Sequence, residues 1–392
     1  MKGSIERRHI GEIAQLERRP VNVDLSHEYH EIGIRSFGRG VFHKEPVSGA
    51  ALGAKRVFRI KPGDLLLNNV FAWEGAIAVA DEEQEGRIGS HRFMTYVVDR
   101  NLADPHYLLY YLLSECGLEL IRRASPGSAG RNRTLGIKAF ELLEVPLPPP
   151  DVQRQIALRL DMVRSKAEEL RSHQSVVAQR LTALVAALVT RADLSDRQKL
   201  AHGWLQRVLG EFLSPSGSDE TVDPNRAYRI AGVYSFGRGL IDRGTIGGLD
   251  TKYRSLTRLA AEDIIVSRLG GWEGAVAVVP ERFDGAYVSA EYPVFTPDRE
   301  VIDPDYFAGI ARSPWLWDAI GGSTRGSMAR RKRVKAEDFL SVEVWLPPPA
   351  VQSRVASLIN KAFSAEGALE HSRSLVAALG SAALNKAFTN LT

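Results

Sequence analysis

Glu144-Val145-Pro146-Leu147-Pro148-Pro149-Pro150-Asp151-Val152-Gln153 returns further along the chain as Glu343-Val344-Trp345-Leu346-Pro347-Pro348-Pro349-Ala350-Val351-Gln352, with eight of ten residues identical at a shift of 199. The same shift carries Gly33-Ile34-Arg35-Ser36-Phe37-Gly38-Arg39-Gly40 onto Gly232-Val233-Tyr234-Ser235-Phe236-Gly237-Arg238-Gly239, identical at six of eight places. It also carries Ala72-Trp73-Glu74-Gly75-Ala76-Ile77-Ala78-Val79 onto Gly271-Trp272-Glu273-Gly274-Ala275-Val276-Ala277-Val278, again six of eight. Single pairs such as Gly11/Gly210, Asp64/Asp263 and Asp104-Pro105/Asp303-Pro304 keep that register without a gap. The chain is one unit written twice.

Each half changes grain at the Pro-rich segment. Before it, short β-rich runs such as 76–80 and 93–98 alternate with Gly-containing turns. One helix is expected to start at Asp104-Pro105 and run to about Arg123. After Pro150 the period becomes helical. Val152, Ile156, Leu160, Val163, Ala167, Leu170, Gln174, Val177, Leu181, Leu184 and Leu188 step by 3 or 4 almost throughout, a heptad seam with Asp151 as its expected N-cap. The second copy offers a weaker seam of Val351, Val355, Ile359, Leu369, Val376, Leu379 and Ala383, in which Glu366, Arg373 and Gly380 replace apolar or neutral residues of the first.

A helix of ~40 residues is a rod of roughly 60 Å that cannot bury its apolar stripe alone. The fold class expected is therefore α+β: two homologous α/β globules with an antiparallel pair of long coiled-coil helices between them, in a pseudo-twofold repeat. The boundaries are 1–149 for the first globule, 150–192 for the first long helix, 193–348 for the second globule and 349–392 for the second helix. Antiparallel pairing of the rods would put the globules at opposite ends. The alternative, that each helix packs only on its own globule, stays open at this point.

Composition narrows the function. With 392 residues, 44% hydrophobic and 25% charged, the chain is globular rather than disordered or collagen-like. The longest near-apolar run, 181–189, is far below the ~20 residues of a membrane span. The start, Met1-Lys2-Gly3-Ser4-Ile5-Glu6-Arg7-Arg8, lacks the apolar stretch of a signal peptide, so a soluble cytoplasmic protein is expected. A single cysteine, Cys116, forms no internal disulfide or Cys-rich zinc site and is expected to be a small core residue. A net charge of +4 permits a nucleic-acid partner without demonstrating one.

Motifs with a catalytic look have plainer readings. Asp104-Pro105-His106-Tyr107 and Asp303-Pro304-Asp305-Tyr306 resemble the signature of amino-methylating DNA methyltransferases but lack its second proline. Asp as N-cap and Pro at the first helical position explain both. The Phe37-Gly38-Arg39-Gly40 stretch reads as a turn needing glycine dihedrals rather than a cofactor loop. His27-Glu28-Tyr29-His30 is one residue too short for two His to share a helix face, and the second copy lacks it. No Gly-Lys phosphate loop and no Glu-x-Lys nuclease triplet occur. The sequence thus predicts no catalytic residue, no metal site and no cofactor.

Basic residues gather at equivalent places. Arg330, Arg331, Lys332 and Arg333 answer to Arg131, Asn132 and Arg133, and both runs follow a Gly-Ser turn. Recurrence favours phosphate contact. Elsewhere the halves diverge: Asn68-Asn69 becomes Ser267-Arg268, and His91-Arg92 becomes Ala290-Glu291. Asn pairs well with adenine and Arg with guanine in the major groove. If both halves read DNA, shared residues shape the fold or hold phosphates, and differing ones read different bases. Trp73, Trp272 and the Phe-Gly-Arg-Gly turns are then mainly scaffold. Arg39 and Arg238 are candidate phosphate ligands, and Arg35 is a further candidate contact.

Two related globules, each running through Leu-Pro-Pro-Pro-x-Val-Gln into a long helix, resemble the specificity subunit of type I restriction-modification systems. The stretches Lys61-Pro62-Gly63-Asp64-Leu65-Leu66 and Phe71-Ala72-Trp73-Glu74-Gly75-Ala76 are similar to its target-recognition-domain sequence. The resemblance covers nearly the whole chain. It implies two target recognition domains, each reading one half of a bipartite double-stranded DNA sequence, and a helix pair that sets the gap. It implies no active site in this subunit. Two methyltransferase subunits using S-adenosylmethionine and two motor-nuclease subunits would supply the chemistry. Two alternatives remain: the recognition subunit of a system that fuses methylation and cleavage in one partner, and a duplicated protein-binding scaffold.

Overall fold

The computed structural model describes residues 5–127, 133–216, 218–323, 333–389 and 391. They form two compact units, Met1–Ser172 with Arg373–Thr392 and His173–Ser372. Both are built on an antiparallel four-stranded sheet. In the first its strand order is Ala14–Leu16, Phe93–Val98, Leu65–Asn68, Ile77–Val79, and in the second Leu213–Pro215, Val294–Pro297, Ile264–Val266, Val276–Val278. The repeat persists in the hydrogen-bonding register: Leu65 opposes Val79 as Ile264 opposes Val278, and Glu6 opposes Leu147 as Leu205 opposes Leu346.

The sheet is buried on both faces, which is why its strands read as nearly continuous apolar runs. In the first unit Leu65, Leu67, Met94 and Tyr96 pack on the helical layer, while Leu66, Ala78 and Phe93 pack on a second β layer with Ile32 and Ile34. In the second unit that outer layer is a five-stranded sheet containing the hairpin Ala227–Val233 and Leu240–Gly247. Its counterpart in the first unit is broken into two short pairs, Glu28–Tyr29 with Val47–Ser48 and Ile32–Ile34 with Val41–His43. Thr245 pairs with Arg229 in the intact ladder, and the residue at that place in the first unit is Pro46, which has no N–H to give.

The helix after Asp104 departs from expectation. Asp104 caps it by accepting from the amides of His106 and Tyr107, but the helix Pro105–Leu113 ends at Ser114 and a second helix, Glu115–Arg123, begins there. Ser114 ends one and N-caps the other, its Oγ accepting from the Gly117 amide at 3.2 Å. The break turns Gly117 inward and leaves Cys116 exposed, so Cys116 is not a core residue.

Both Pro-rich segments deliver a buried glutamine. Gln153 is 0% exposed; its Oε1 accepts from the Asp104 amide at 2.9 Å, and its Nε2 donates to Leu102 O at 3.0 Å and Pro148 O at 2.8 Å. Gln352 repeats the set with the Asp303 amide, Val301 O and Pro347 O, each at 3.0 Å. Each amide ties the start of a long helix to the start of the globule's own capped helix.

The long helices span Pro150–Thr190 and Pro349–Phe388. Asp151 is not the N-cap of the first: the Gln153 amide already donates to Pro149 O, so Asp151 lies in the first turn, where its charge suits the helix dipole. Of the expected seam, Leu160, Gln174 and Ile359 are buried, and other positions depart from it. Val152, Leu170, Val177, Leu184 and Leu379 are exposed, and the buried positions are Gln153, Ala157, Leu160, Gln174, Val185 and Val189, then Gln352, Ala356, Ile359, Ala362 and Phe388. In the second unit the helices run antiparallel, with Gln174 donating to Ser372 Oγ at 2.9 Å while Val189 and Ile359 both pack around Gly309.

Each globule receives the end of the long helix that follows the other. Phe388, 0% exposed, sits edge-on between Tyr107 and Tyr111 at 5.6 and 5.5 Å in the first unit. Val189, its counterpart at the 199-residue shift, is buried in the second unit, where Tyr306 donates to its carbonyl at 3.2 Å. Packing of a long helix on its own globule alone is thus excluded.

Gln153→Ala strands three buried backbone groups and is expected to cost about 3 kcal/mol in denaturant unfolding. Gln155→Ala, on the exposed face two residues on, should change stability by less than about 0.5 kcal/mol. Phe388→Ala should cost about 3–5 kcal/mol. Hydrogen exchange should locate that loss in Pro105–Leu113 and Phe93–Val98, with Pro304–Ala311 still protected.

Candidate nucleic-acid interface

At one end of each four-stranded sheet, segments distant in sequence converge. In the first unit the strand Leu65–Asn68 runs into a 3-10 turn, Ala72–Glu74, closed by Gly75 at φ +80°. Trp73 braces this turn, its indole N–H donating to Val70 O at 2.9 Å. The Asn69 amide donates to Arg92 O at 2.9 Å, and Asn69 O accepts from the Leu135 amide at 2.8 Å. The turn at 91–92 and the segment ending the basic run are thereby fixed beside Asn69. The second unit repeats this frame: Trp272 donates to Leu269 O, the Arg268 amide to Glu291 O, and the Val334 amide to Arg268 O, all between 2.8 and 2.9 Å.

The side chains on this shared frame differ. Asn69 is half-buried, and its Oδ1 is buried with no hydrogen-bond partner among the described residues. Arg268 stands in its place with a buried Nε that has no partner among the described residues, and Glu291 accepts from Arg333 at 3.2 Å through one oxygen while the other, buried, has none among them. Leaving such groups unmatched costs stability, so among the described residues this end of the sheet carries polar capacity that folding does not consume. Arg133 lies over the Trp73 ring at 5.4 Å, and His91 and Arg92 are exposed. Asn68 and Ser267 are engaged in their turns instead, accepting from the amides of Val70 and Gly270. Arg131, Asn132, Arg330, Arg331 and Lys332 lie outside the described residues.

The Phe-Gly-Arg-Gly turn lies on the other side of the Trp turn. Phe37 and Gly38 amides donate to Glu74 O and Gly75 O at 2.8 and 2.9 Å; Phe236 and Gly237 donate to Glu273 O and Gly274 O at 2.7 and 2.8 Å. Arg39 and Arg238 are exposed, and Arg238 Nε donates to Ser235 O at 3.0 Å. Arg35 is placed away from Asn69, its guanidinium 4.8 Å from the Phe42 ring that covers Gly33.

The two units differ again below this turn. The first has a polar cleft of about 490 Å³ lined by Arg39, His43, His106, Asp161 and Arg164 among others. Tyr110 donates to Asp161 there at 2.5 Å, and burial pushes the Tyr110 hydroxyl pKa up. The second has Gly309, Asn360 and Phe363 at the places of Tyr110, Asp161 and Arg164. Arg312 instead packs 4.2 Å from Phe363, donates to Gly237 O at 2.8 Å and pairs with Glu366 at 2.6 Å. This explains Glu366, the charge that interrupts the second seam. Neither Glu291 nor Glu366 is marked by its sequence as a partner of a particular arginine. Asn69 and Arg268, by contrast, are visible as one position with two identities.

Among the described residues no helix is long and apolar enough to cross a membrane, and no cluster of three or more His, Cys, Asp or Glu could hold a metal ion. No family model matches the chain, and no curated protein matches it in sequence. Solved structures do. The HsdS subunit from Thermoanaerobacter tengcongensis aligns over 100% of this chain and 98% of its own at 17% identity, with a TM-score of 0.52. A chain from a structure of the type I R-M system, solved for its complex assembly and conformational transition, aligns over 98% and 97% at 17% identity and a TM-score of 0.66. The type I restriction-modification S subunit from M. genitalium aligns over 100% and 98% at 15% identity and a TM-score of 0.53. Over its whole length, then, this chain has the fold of type I restriction-modification S subunits, two domains linked by long helices.

Proposed function

We propose that this chain is the sequence-specific DNA-binding subunit of a type I restriction-modification complex. Residues 1–149 and 193–348 are two target recognition domains, each reading one half of a bipartite target in double-stranded DNA. The long helices, 150–192 and 349–392, set the gap between the halves. The observation that carries this reading is the likeness to S-subunit structures over 98–100% of the chain. Two sheet ends with one backbone frame and different polar side chains support it further. A shared frame gives both readers the same docking geometry, and Asn69 against Arg268 gives them different base preferences.

On this reading the subunit is not itself an enzyme and carries no cofactor. Two methyltransferase subunits and two motor-nuclease subunits assemble with it in the cytoplasm and perform the chemistry. Within each domain, Asn68, Asn69, His91, Arg92 and the run Arg131-Asn132-Arg133 serve one half-site. Ser267, Arg268 and the run Arg330-Arg331-Lys332-Arg333 serve the other. Arg35, Arg39 and Arg238 contribute through the backbone of the duplex.

Selection from a random duplex library, with the chain co-purified with its methyltransferase partner, should return two dissimilar motifs at one fixed separation. Enrichment of nothing at low salt, with the complex intact, would sink the DNA reading in favour of a protein-binding scaffold. Arg268→Ala should relax preference at one base pair, by about 1–3 kcal/mol, and leave the other half-site unchanged. A uniform loss across all sequences, with a shallower salt dependence, would make Arg268 a phosphate contact instead.

A further inference from the structure

Phe37 and Phe236 occupy the left-handed region of backbone space, both at φ +62°. That region suits glycine and strains a bulky side chain. The strain is not offset by burial, because the rings are 72% and 58% exposed. Both turns are nevertheless held firmly. Besides the backbone bonds to the Trp-Glu-Gly turn, Ser36 donates to Glu74 at 3.0 Å and Ser235 to Glu273 at 3.4 Å. Trp317 adds an edge-on contact to Phe236 at 6.0 Å. A strained, exposed aromatic ring fixed on a braced turn is a feature that folding does not require.

Its chemistry is specific. An exposed cation follows each ring two residues on, and Arg39 lies 5.7 Å from the Phe37 ring. The pair Phe-x-Arg is the same in both halves, while the neighbouring sheet ends carry Asn69 against Arg268 and Arg92 against Glu291. The apolar surroundings are not repeated, since exposed Phe71 answers to Gly270. Beyond the Trp-Glu-Gly brace, what the two turns expose in common is one ring and one cation, Arg238 lying 4.9 Å from the Tyr234 ring, too small an anchor for a protein face. It matches the two parts of a duplex that do not vary with sequence, the face of a base and the phosphate beside it.

We propose that Phe37 and Phe236 are wedge residues that each stack into a base step of the bound duplex, one per half-site, with Arg39 and Arg238 on the adjoining phosphates. Apolar side chains inserted in this way unstack a step and bend the duplex. This inference rests on the DNA-recognition reading above, and its test separates the two.

The test uses the chain with its methyltransferase partner and duplexes of the selected target carrying 2-aminopurine at successive positions. Fluorescence should rise at one step in each half-site. Phe37→Gly should abolish the rise in one half-site only, Phe236→Gly in the other only, and each should weaken binding about 10-fold. Because glycine relieves the positive φ, both variants should melt no lower than the parent, so lost binding cannot be blamed on lost folding. Phe37→Leu, still apolar, should keep part of the rise. Unchanged fluorescence and affinity in the glycine variants of a target-selective complex would overturn the wedge and leave recognition standing. Loss of the methyltransferase from the glycine variants would overturn it by making the turn a protein contact. Failure of the parent complex to select any DNA removes both the wedge and the reading beneath it.

Discussion

The structure depends on a carboxamide buried twice. Gln153 and Gln352 each place an acceptor on the amide of a capping Asp and two donor hydrogens on carbonyls of the globule. A planar amide so fully matched has one orientation, and the helix that bears it has one rotation. The prolines before it remove alternative helical starts, and the glutamine then selects which stripe of the helix faces the core. Everything further along a rod of 40 or 41 residues inherits that rotation.

This accounts for what the sequence discloses about the helices and what it does not. The helix starts are legible because proline and period are local signals. The seam's phase is not. Apolar residues come in adjacent pairs, Val176-Val177, Leu184-Val185 and Leu188-Val189, so two stripes satisfy the same spacing. The buried one contains Gln153, which a hydrophobic count passes over. Ser114 is a similar case: a capping serine inside a helical period stops the helix only because Gly117 lets the next one fold back closely. The repeat does reveal the residues at the sheet ends, since comparing two copies separates the frame from what is mounted on it. It does not reveal that Phe37 carries a positive φ, because nothing local marks a phenylalanine for that region.

Duplication also divides the labour of the residues. Where the halves agree, the side chain makes the frame: Trp73 and Trp272 hold matching turns, and Asp104 and Asp303 cap the starts of corresponding helices. Where they disagree, the same backbone presents other chemistry, as with Asn69 and Arg268. Where one unit has a polar cleft lined by Asp161 and Arg164, the other has Arg312 packed on Phe363 and paired with Glu366. The second rod gives up an apolar position for that ion pair, which explains why its seam is the weaker.

The slot between Tyr107 and Tyr111 has a consequence for how the molecule is made. Its occupant, Phe388, lies 281 residues beyond Tyr107 and is therefore synthesised well after it. At ordinary rates of synthesis the first globule exists for roughly 10–50 s with that aromatic slot unfilled. The second globule waits for nothing of the kind, because Val189 is made before it. A nascent chain is thus exposed at its older end, and truncation before Phe388 harms the globule farthest from the cut in sequence. The half made first is the half finished last.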